Sequence, residues 1–274
     1  MTGYITCDLL GPGDGTANFG LCNQMFQVAA LYSHAHDNNL KVTFPQTKSP
    51  RFGNYHENIF SRVSHQDINT NAFVYLEIPY GYHDLVKNDD IIYRGYMQSE
   101  KYFAHNRDII LDLFAPTTDI KNYITSKYNG IINVNALSIH VRRGDYVYLP
   151  NHHPSVGSGY YSEAIDYITA KTQIDKYVVF SDDINYCKSM FGESEDIIYI
   201  DGEKDYIDLY LMSMCKHNII ANSTFSWWSA WLNQNPNKIV VAPETWFGTA
   251  RTDLDTSDLI PENWIKIQYG KNIF

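Results

Sequence analysis

From about residue 136 onward the chain alternates between two hydrophobic periods. Short β-rich runs at 136–141, 176–180, 197–200, 218–221 and 238–241 are each of strand length. Between them, Tyr161, Ala164, Ile165 and Ile168 recur at helical spacing, and Ile207, Tyr210, Leu211 and Met214 repeat it. Phe225, Trp228, Ser229 and Leu232 form a third such stripe, and Ile184, Cys187 and Phe191 a shorter one. Repeated strand and helix of this kind predict a doubly wound, mostly parallel, Rossmann-like sheet, because parallel neighbours need helical crossovers that cover both faces.

The first 130 residues carry weaker periodicity. One helix is expected where Met25, Val28, Ala29 and Tyr32 share a face after the glycine-rich entry Gly11-Pro12-Gly13-Asp14-Gly15. A second spans the region of Asn106 to Phe114, and Pro116 marks an exit toward the second half. The division is placed near residue 130, giving lobes 1–130 and 131–274.

Composition narrows the class. With 44% hydrophobic, 15% aromatic and 19% charged residues, the chain is far from a disordered composition. Its 21 basic and 31 acidic residues give a formal charge of -10, which argues against a nucleic-acid binder that works by neutralising many phosphates. The four cysteines, Cys7, Cys22, Cys187 and Cys215, are too scattered for a disulfide framework and read as buried thiols. No secretory pattern and no transmembrane segment is legible, so a soluble protein of a cytoplasmic, reducing setting is expected, compatible with peripheral contact to a membrane.

The polar clusters fall just past predicted strands, where an open α/β sheet presents its ligand crevice. The first strand runs into His140-Val141-Arg142-Arg143-Gly144-Asp145-Tyr146, the second into Ser181-Asp182-Asp183, and the fourth into Asn222-Ser223-Thr224-Phe225-Ser226 at a helix start. Adjacent arginines suit phosphate oxygens; strand alternation turns one to the crevice and leaves the other for a local partner such as Asp145. A purely structural Arg-Asp bridge has about equal weight when the motif is taken alone. Hydroxyls and orphan N–H groups at 222–226 form an anion site or an ordinary N-cap. Asp182 and Asp183 fit a ribose or base contact, or, at Asp182, a cap. Asp253-Leu254-Asp255 spells a metal-binding D-x-D, but it lies far from these clusters, and no metal site is assigned. His34, His36, His152 and His153 lack metal-ligand spacing, and Trp227, Trp228 and Trp231 read as packing.

Taken with 20–27 (Gly-Leu-Cys-Asn-Gln-Met-Phe-Gln), 95–103 (Gly-Tyr-Met-Gln-Ser-Glu-Lys-Tyr-Phe), Trp246-Phe247 and 260–264, the three clusters resemble glycosyltransferase family 11, the alpha-1,2-fucosyltransferases. The resemblance runs nearly the length of the chain. Cys22 stands where the family usually has glycine.

The resemblance implies a GT-B-like fold of two lobes, the first on the acceptor side and the second binding GDP-fucose. It further implies inverting transfer of fucose to a galactose-type hydroxyl of a glycan acceptor, without metal or other cofactor. Arg142 would stabilise departing GDP, with Arg143, Ser223, Thr224 and Ser226 as further contacts. His140 and Asp183 become candidates for the guanosine end, and Asn23 for the diphosphate from the first lobe. Asp145 is the candidate base, with Asp14 and His153 as alternatives. Two other functions stay open: transfer from another GDP-sugar, and a non-catalytic GDP-binding module.

Overall fold

The computed structural model describes residues 3–7, 20–45, 55–66 and 73–268; the glycine-rich entry with Asp14 lies outside the described residues. The chain divides into two compact units, Met1–Thr117 with Leu254–Pro261, and Thr118–Asp253 with Glu262–Phe274.

The first unit contains a parallel sheet that the sequence pattern does not announce. Strands β1 (Tyr4–Cys7), β2 (Lys41–Val42), β3 (Val74–Glu77) and β4 (Ile91–Arg94) lie in the order β2-β1-β4-β3. Each has four residues or fewer and three of the four side chains of β3 are exposed, so alternation does not mark the sheet, and β4 carries an apolar run of just three residues, Ile91-Ile92-Tyr93. Helix α1 (Leu21–Asn38) is the expected one, with Met25, Phe26, Ala29 and Leu31 fully buried. It stops at Asn39, whose left-handed backbone (φ 54°) suits a short amide side chain at a helix C-terminus. Helix α2 (Arg107–Leu113) matches the second expected helix. The returning segment at 254–261 joins this unit through an ion pair between Lys101 and Asp258, which also accepts the Tyr82 N–H at 3.4 Å.

The chain passes to the second unit at Thr117–Thr118, ahead of the expected division near 130. Helices α3 (Thr118–Lys127) and α4 (Asn129–Ile132) belong there because Glu203 accepts hydrogen bonds from Tyr123 (2.9 Å) and Tyr128 (2.7 Å) and pairs with Lys127. Then follow β5 (Ala136–Val141), α5 (Ser158–Thr169), β6 (Lys176–Ser181), α6 (Ile184–Phe191), β7 (Ile197–Ile200), α7 (Asp205–Met214), β8 (His217–Ile219), α8 (Thr224–Leu232), β9 (Val240–Pro243) and β10 (Ile265–Ile267). The strands form a six-stranded parallel sheet in the order β10-β9-β8-β5-β6-β7. The doubly wound expectation is met, with one strand more than the five periodic runs; β10 has three residues and no legible period. Strand β9 begins two residues late because the Ile239 N–H donates to His217 Nδ1 at 3.0 Å.

Every residue of β5 is buried, as a central parallel strand requires. Helix α8 is buried on all sides from Ser226 to Leu232, beyond the single stripe its periodicity predicts. Trp227, Trp228 and Trp231 do serve packing, each no more than 2% exposed. All four cysteines are buried thiols. Among the described residues no helix is long and apolar enough to cross a membrane.

Asp208 on α7 is the least comfortable group of this unit. Its Oδ1 is buried and lacks a partner among the described residues. Burial first, and then Glu203, Asp205 and Asp201, push its pKa up to about 7. The folded state thus holds this proton more tightly than the unfolded chain does. Its stabilising contribution is complete below the unfolded carboxylate value and is lost as pH rises toward 7. Asp208→Asn is expected to stabilise the protein by about 1–2 kcal/mol at pH 8, discounted for partial exposure, and far less at pH 4. Urea unfolding at both pH values measures the difference.

Candidate functional site

The strand order reverses between β5 and β8: from β5 the chain winds outward through β6 and β7, then returns to β8 and winds the other way. Side chains beyond the carboxyl ends of these two strands therefore surround the switch point at which open α/β sheets hold ligands. His140 is the penultimate residue of β5, Arg142, Arg143 and Asp145 follow that strand, Asp182 and Asp183 follow β6, and 222–226 follow β8.

Arg142 is the hub. Its Nη1 donates to Asp182 Oδ2 at 2.6 Å and its Nη2 to Asp145 Oδ1, while the guanidinium lies 5.3 Å from the Tyr146 ring. Arg143 turns elsewhere, as strand alternation predicts: its Nε faces Asp183 Oδ2 at 3.4 Å and its guanidinium sits 3.7 Å over the Tyr186 ring. Arg142, not Arg143, takes Asp145. A guanidinium has five N–H donors, and these two bonds leave Arg142, 33% exposed, with donors to spare. The cluster is not basic overall, since two guanidiniums face three carboxylates.

Asp182 holds this arrangement from below, because its Oδ1 also accepts the Arg143 N–H at 2.8 Å. The turn above it needs Gly144, at φ +26°, where an added Cβ would meet Asp182 Oδ2 at 2.5 Å. The cap of α6 is Asp183, not Asp182: its Oδ1 accepts the Tyr186 N–H at 3.1 Å. That register frees Asp182 for the arginine.

After β8, Ser223 caps α8 by accepting the Phe225 N–H at 3.4 Å. Thr224 is partly exposed at the first turn, where orphan N–H groups and the helix dipole favour an anion. Ser226 turns inward instead, 1% exposed and 2.9 Å from His140 Nδ1. Burial, and secondarily Arg142, push the pKa of His140 down to about 3, so this imidazole stays neutral.

Tyr146, to which the motif reading assigns no role, joins the two loops. Its hydroxyl donates to the Asn222 carbonyl at 3.0 Å, its ring stacks on His153 at 4.8 Å, and burial first raises its pKa to about 12, keeping it a donor. Asn222 is fully buried and donates through Nδ2 to the carbonyls of Pro154 (2.9 Å) and Trp246 (3.0 Å). Its place as the first residue of the 222–226 cluster was the available signal.

Asn23 belongs to the first unit, in the opening turn of α1, where its Oδ1 accepts Gln98 Nε2 at 2.9 Å. Gln98 is held in turn by the Tyr80 hydroxyl and lies on a tight segment after β4, with Gly95 at φ +150° and Met97 at φ +51°. Asp253 and Asp255 fall in different units and are already engaged, Asp253 near Arg251 Nε at 3.9 Å and Asp255 as acceptor for the Ser257 N–H at 2.9 Å. Among the described residues no group of three or more His, Cys, Asp or Glu side chains is placed to hold a metal ion.

Parallel sheets in two units, with paired arginines at a switch point, are the GT-B-like class of fold. Solved fucosyltransferases share it: NodZ from Bradyrhizobium matches with a TM-score of 0.54 at 12% identity, over 84% of this chain and 93% of that one. POFUT1, in a structure with GDP-fucose, matches with a TM-score of 0.55 at 10% identity, over 86% of this chain and 96% of that one. The family model described as glycosyl transferase family 11 covers residues 14–268, and the chain belongs to that family. An alpha-1,2-colitosyltransferase of Escherichia coli is 36% identical over 182 residues, which are 64% of this chain and 61% of that protein. A galactoside alpha-(1,2)-fucosyltransferase 2 of Oryctolagus cuniculus is 28% identical over 236 residues, 77% of this chain and 64% of that protein. The chain thus spans about three fifths of the length of the curated relatives it matches.

Proposed function

We propose that the protein transfers fucose from GDP-fucose to a galactose-type hydroxyl of a glycan, forming an alpha-1,2 linkage with inversion and without a metal ion. The observation that carries this reading is Arg142, fixed by two carboxylates at the switch point yet retaining N–H donors, and linked through Tyr146 to the segment that leads into α8. Names of relatives agree in kind: several are alpha-1,2-transferases, and solved neighbours were crystallised with GDP or GDP-fucose.

In the proposed reaction the acceptor oxygen attacks the anomeric carbon from the face opposite the diphosphate, and the bond to GDP breaks. Arg142, with the Thr224 hydroxyl and the first N–H groups of α8, meets the charge that develops on the leaving diphosphate. Ser223 shapes that helix start, while Ser226 and neutral His140 pack against each other behind the guanosine end. Arg143 and Asp183 form the rim of the same end. Asp145, about half exposed (48%), takes the acceptor proton.

Asp145→Asn separates two roles. As the base it is worth about 10² or more in kcat. As a competitor for Arg142 its loss should leave GDP affinity equal or tighter, because one carboxylate fewer faces the phosphates. The expected result is a large fall in kcat with no loss of GDP binding; an unchanged kcat removes Asp145 from the chemistry.

The reading as a whole is tested by calorimetric titration with GDP, GDP-fucose and GDP-mannose in EDTA, followed by transfer assays on lactose. Preference for GDP-fucose with transfer supports it, and absence of GDP binding by the folded protein refutes it. The relative named for colitosyl transfer favours a second reading, a different GDP-linked deoxyhexose as donor. Competition between GDP-fucose and GDP-colitose decides between them.

A further inference from the structure

Directly after Asp145 and Tyr146 the chain presents Val147, Tyr148 and Leu149, which are 43%, 84% and 44% exposed. Large exposed apolar side chains scattered singly are ordinary on a protein surface, but three in succession at the rim of a polar site are not. Nor is the segment loose. Tyr146, Val147 and Leu149 N–H groups bond to the carbonyls of Arg143 (2.8 and 3.3 Å) and Tyr146 (3.2 Å), and the Leu149 carbonyl accepts from His152 (2.9 Å) and His153 (2.8 Å). The return is bound to the 246–250 loop by Gly248 N–H to His152 O at 3.0 Å and Ala250 N–H to Asn151 O at 2.8 Å. Gly248 is required there, since a Cβ would come within 2.3 Å of the Asn151 carbonyl. Below, the Tyr146 ring is fixed by its hydrogen bond to Asn222 and its stack on His153. The turn therefore holds an apolar tongue out from an anchored base.

We infer that Tyr148, flanked by Val147 and Leu149, is the platform on which a neutral sugar ring of the acceptor glycan stacks. The inference rests on the transferase reading and extends it to a named acceptor contact. Three features choose this occupant. Tyr148 follows Asp145 by three residues, so their backbones are within about 11 Å, the reach of an acceptor whose hydroxyl is at Asp145. Its ring makes no hydrogen bond or ring contact among the described residues, leaving an apolar face and one hydroxyl, the combination that a galactose ring matches, since its axial 4-hydroxyl leaves the opposite face apolar. The rigid presentation lowers the ordering cost of binding, as a preformed recognition surface requires.

The test uses the full chain with lactose as acceptor and GDP-fucose as donor. Tyr148→Ala is expected to raise the acceptor KM by about tenfold, while kcat and GDP affinity by calorimetry stay near wild type, and Tyr148→Phe should restore most of the loss. Because the side chain is exposed, folding should be unaffected, which circular dichroism and the urea midpoint verify. An unchanged acceptor KM in Tyr148→Ala overturns the inference. So does a change of oligomeric state by sedimentation with an unchanged KM, which would make this tongue a contact between copies. Failure of the wild type to bind GDP sinks the transferase reading itself, and wild-type GDP binding without transfer to lactose sinks the galactoside acceptor and this contact with it.

Discussion

Replacing Arg142 with alanine should cost about 2–5 kcal/mol in GDP affinity or transition-state stabilisation, roughly 30- to several-thousand-fold. Two effects act in the same direction. On the proposed reading the variant would lose the charge-assisted bonds to the phosphates, and it leaves Asp145 and Asp182 without the guanidinium that neutralises them. Arg142→Lys should recover only part of the loss, because an ammonium cannot hold both carboxylates in fork geometry and still donate in plane to a phosphate. The side chain lies beyond β5 and is one-third exposed (33%), so the sheet should fold normally. Calorimetric GDP titration and steady-state kinetics on the same preparation measure the effect; normal values for both would show that the Arg-Asp cluster is purely structural.

The second large effect lies in the core. Trp227→Ala should destabilise the second unit by about 3–5 kcal/mol through lost transfer energy and the cavity left behind. The indole is fully buried, set edge-on to Trp228 at 5.2 Å, parallel to Trp231 at 6.5 Å and 5.5 Å from Trp264. Neighbours this large and rigid cannot collapse into the space, which places the cost toward the upper end. Helix α8 also carries Thr224 at its first turn, so GDP affinity should fall along with the denaturant midpoint. Trp227→Phe, which keeps an aromatic ring in the slot, should cost less on both measures. A midpoint within experimental scatter of wild type would contradict the packing role.

Sequence and tertiary structure divided the work unevenly between the halves. In the second unit the periodic runs at 136–141 and 197–200 coincide with β5, a central strand buried along its whole length, and with β7, an edge strand whose four residues Ile197-Ile198-Tyr199-Ile200 are all apolar. In the first unit the sheet was invisible: its short strands alternate with no periodic helices as those of the second unit do, β2 has two residues, β3 is mostly exposed, and their pairing is nonlocal, such as Ile5 against Ile91. Strand β10 was missed for the same reason. The division at Thr117–Thr118 likewise depends on a nonlocal tie, Glu203 to the tyrosines and lysine of 123–128.

For the candidate site, the sequence by itself determined that strand-end arginines, acids and a capped helix start would gather at one sheet edge. That conclusion needs only strand polarity and the right-handed crossover. Only the tertiary structure decided which group meets which. It gave Asp182 to Arg142 and the cap to Asp183, turned Ser226 inward onto His140, and made Tyr146 the link between the loops after β5 and β8. The physical reason is that local spacing names the polar groups available, whereas burial and distance to residues far along the chain select their partners.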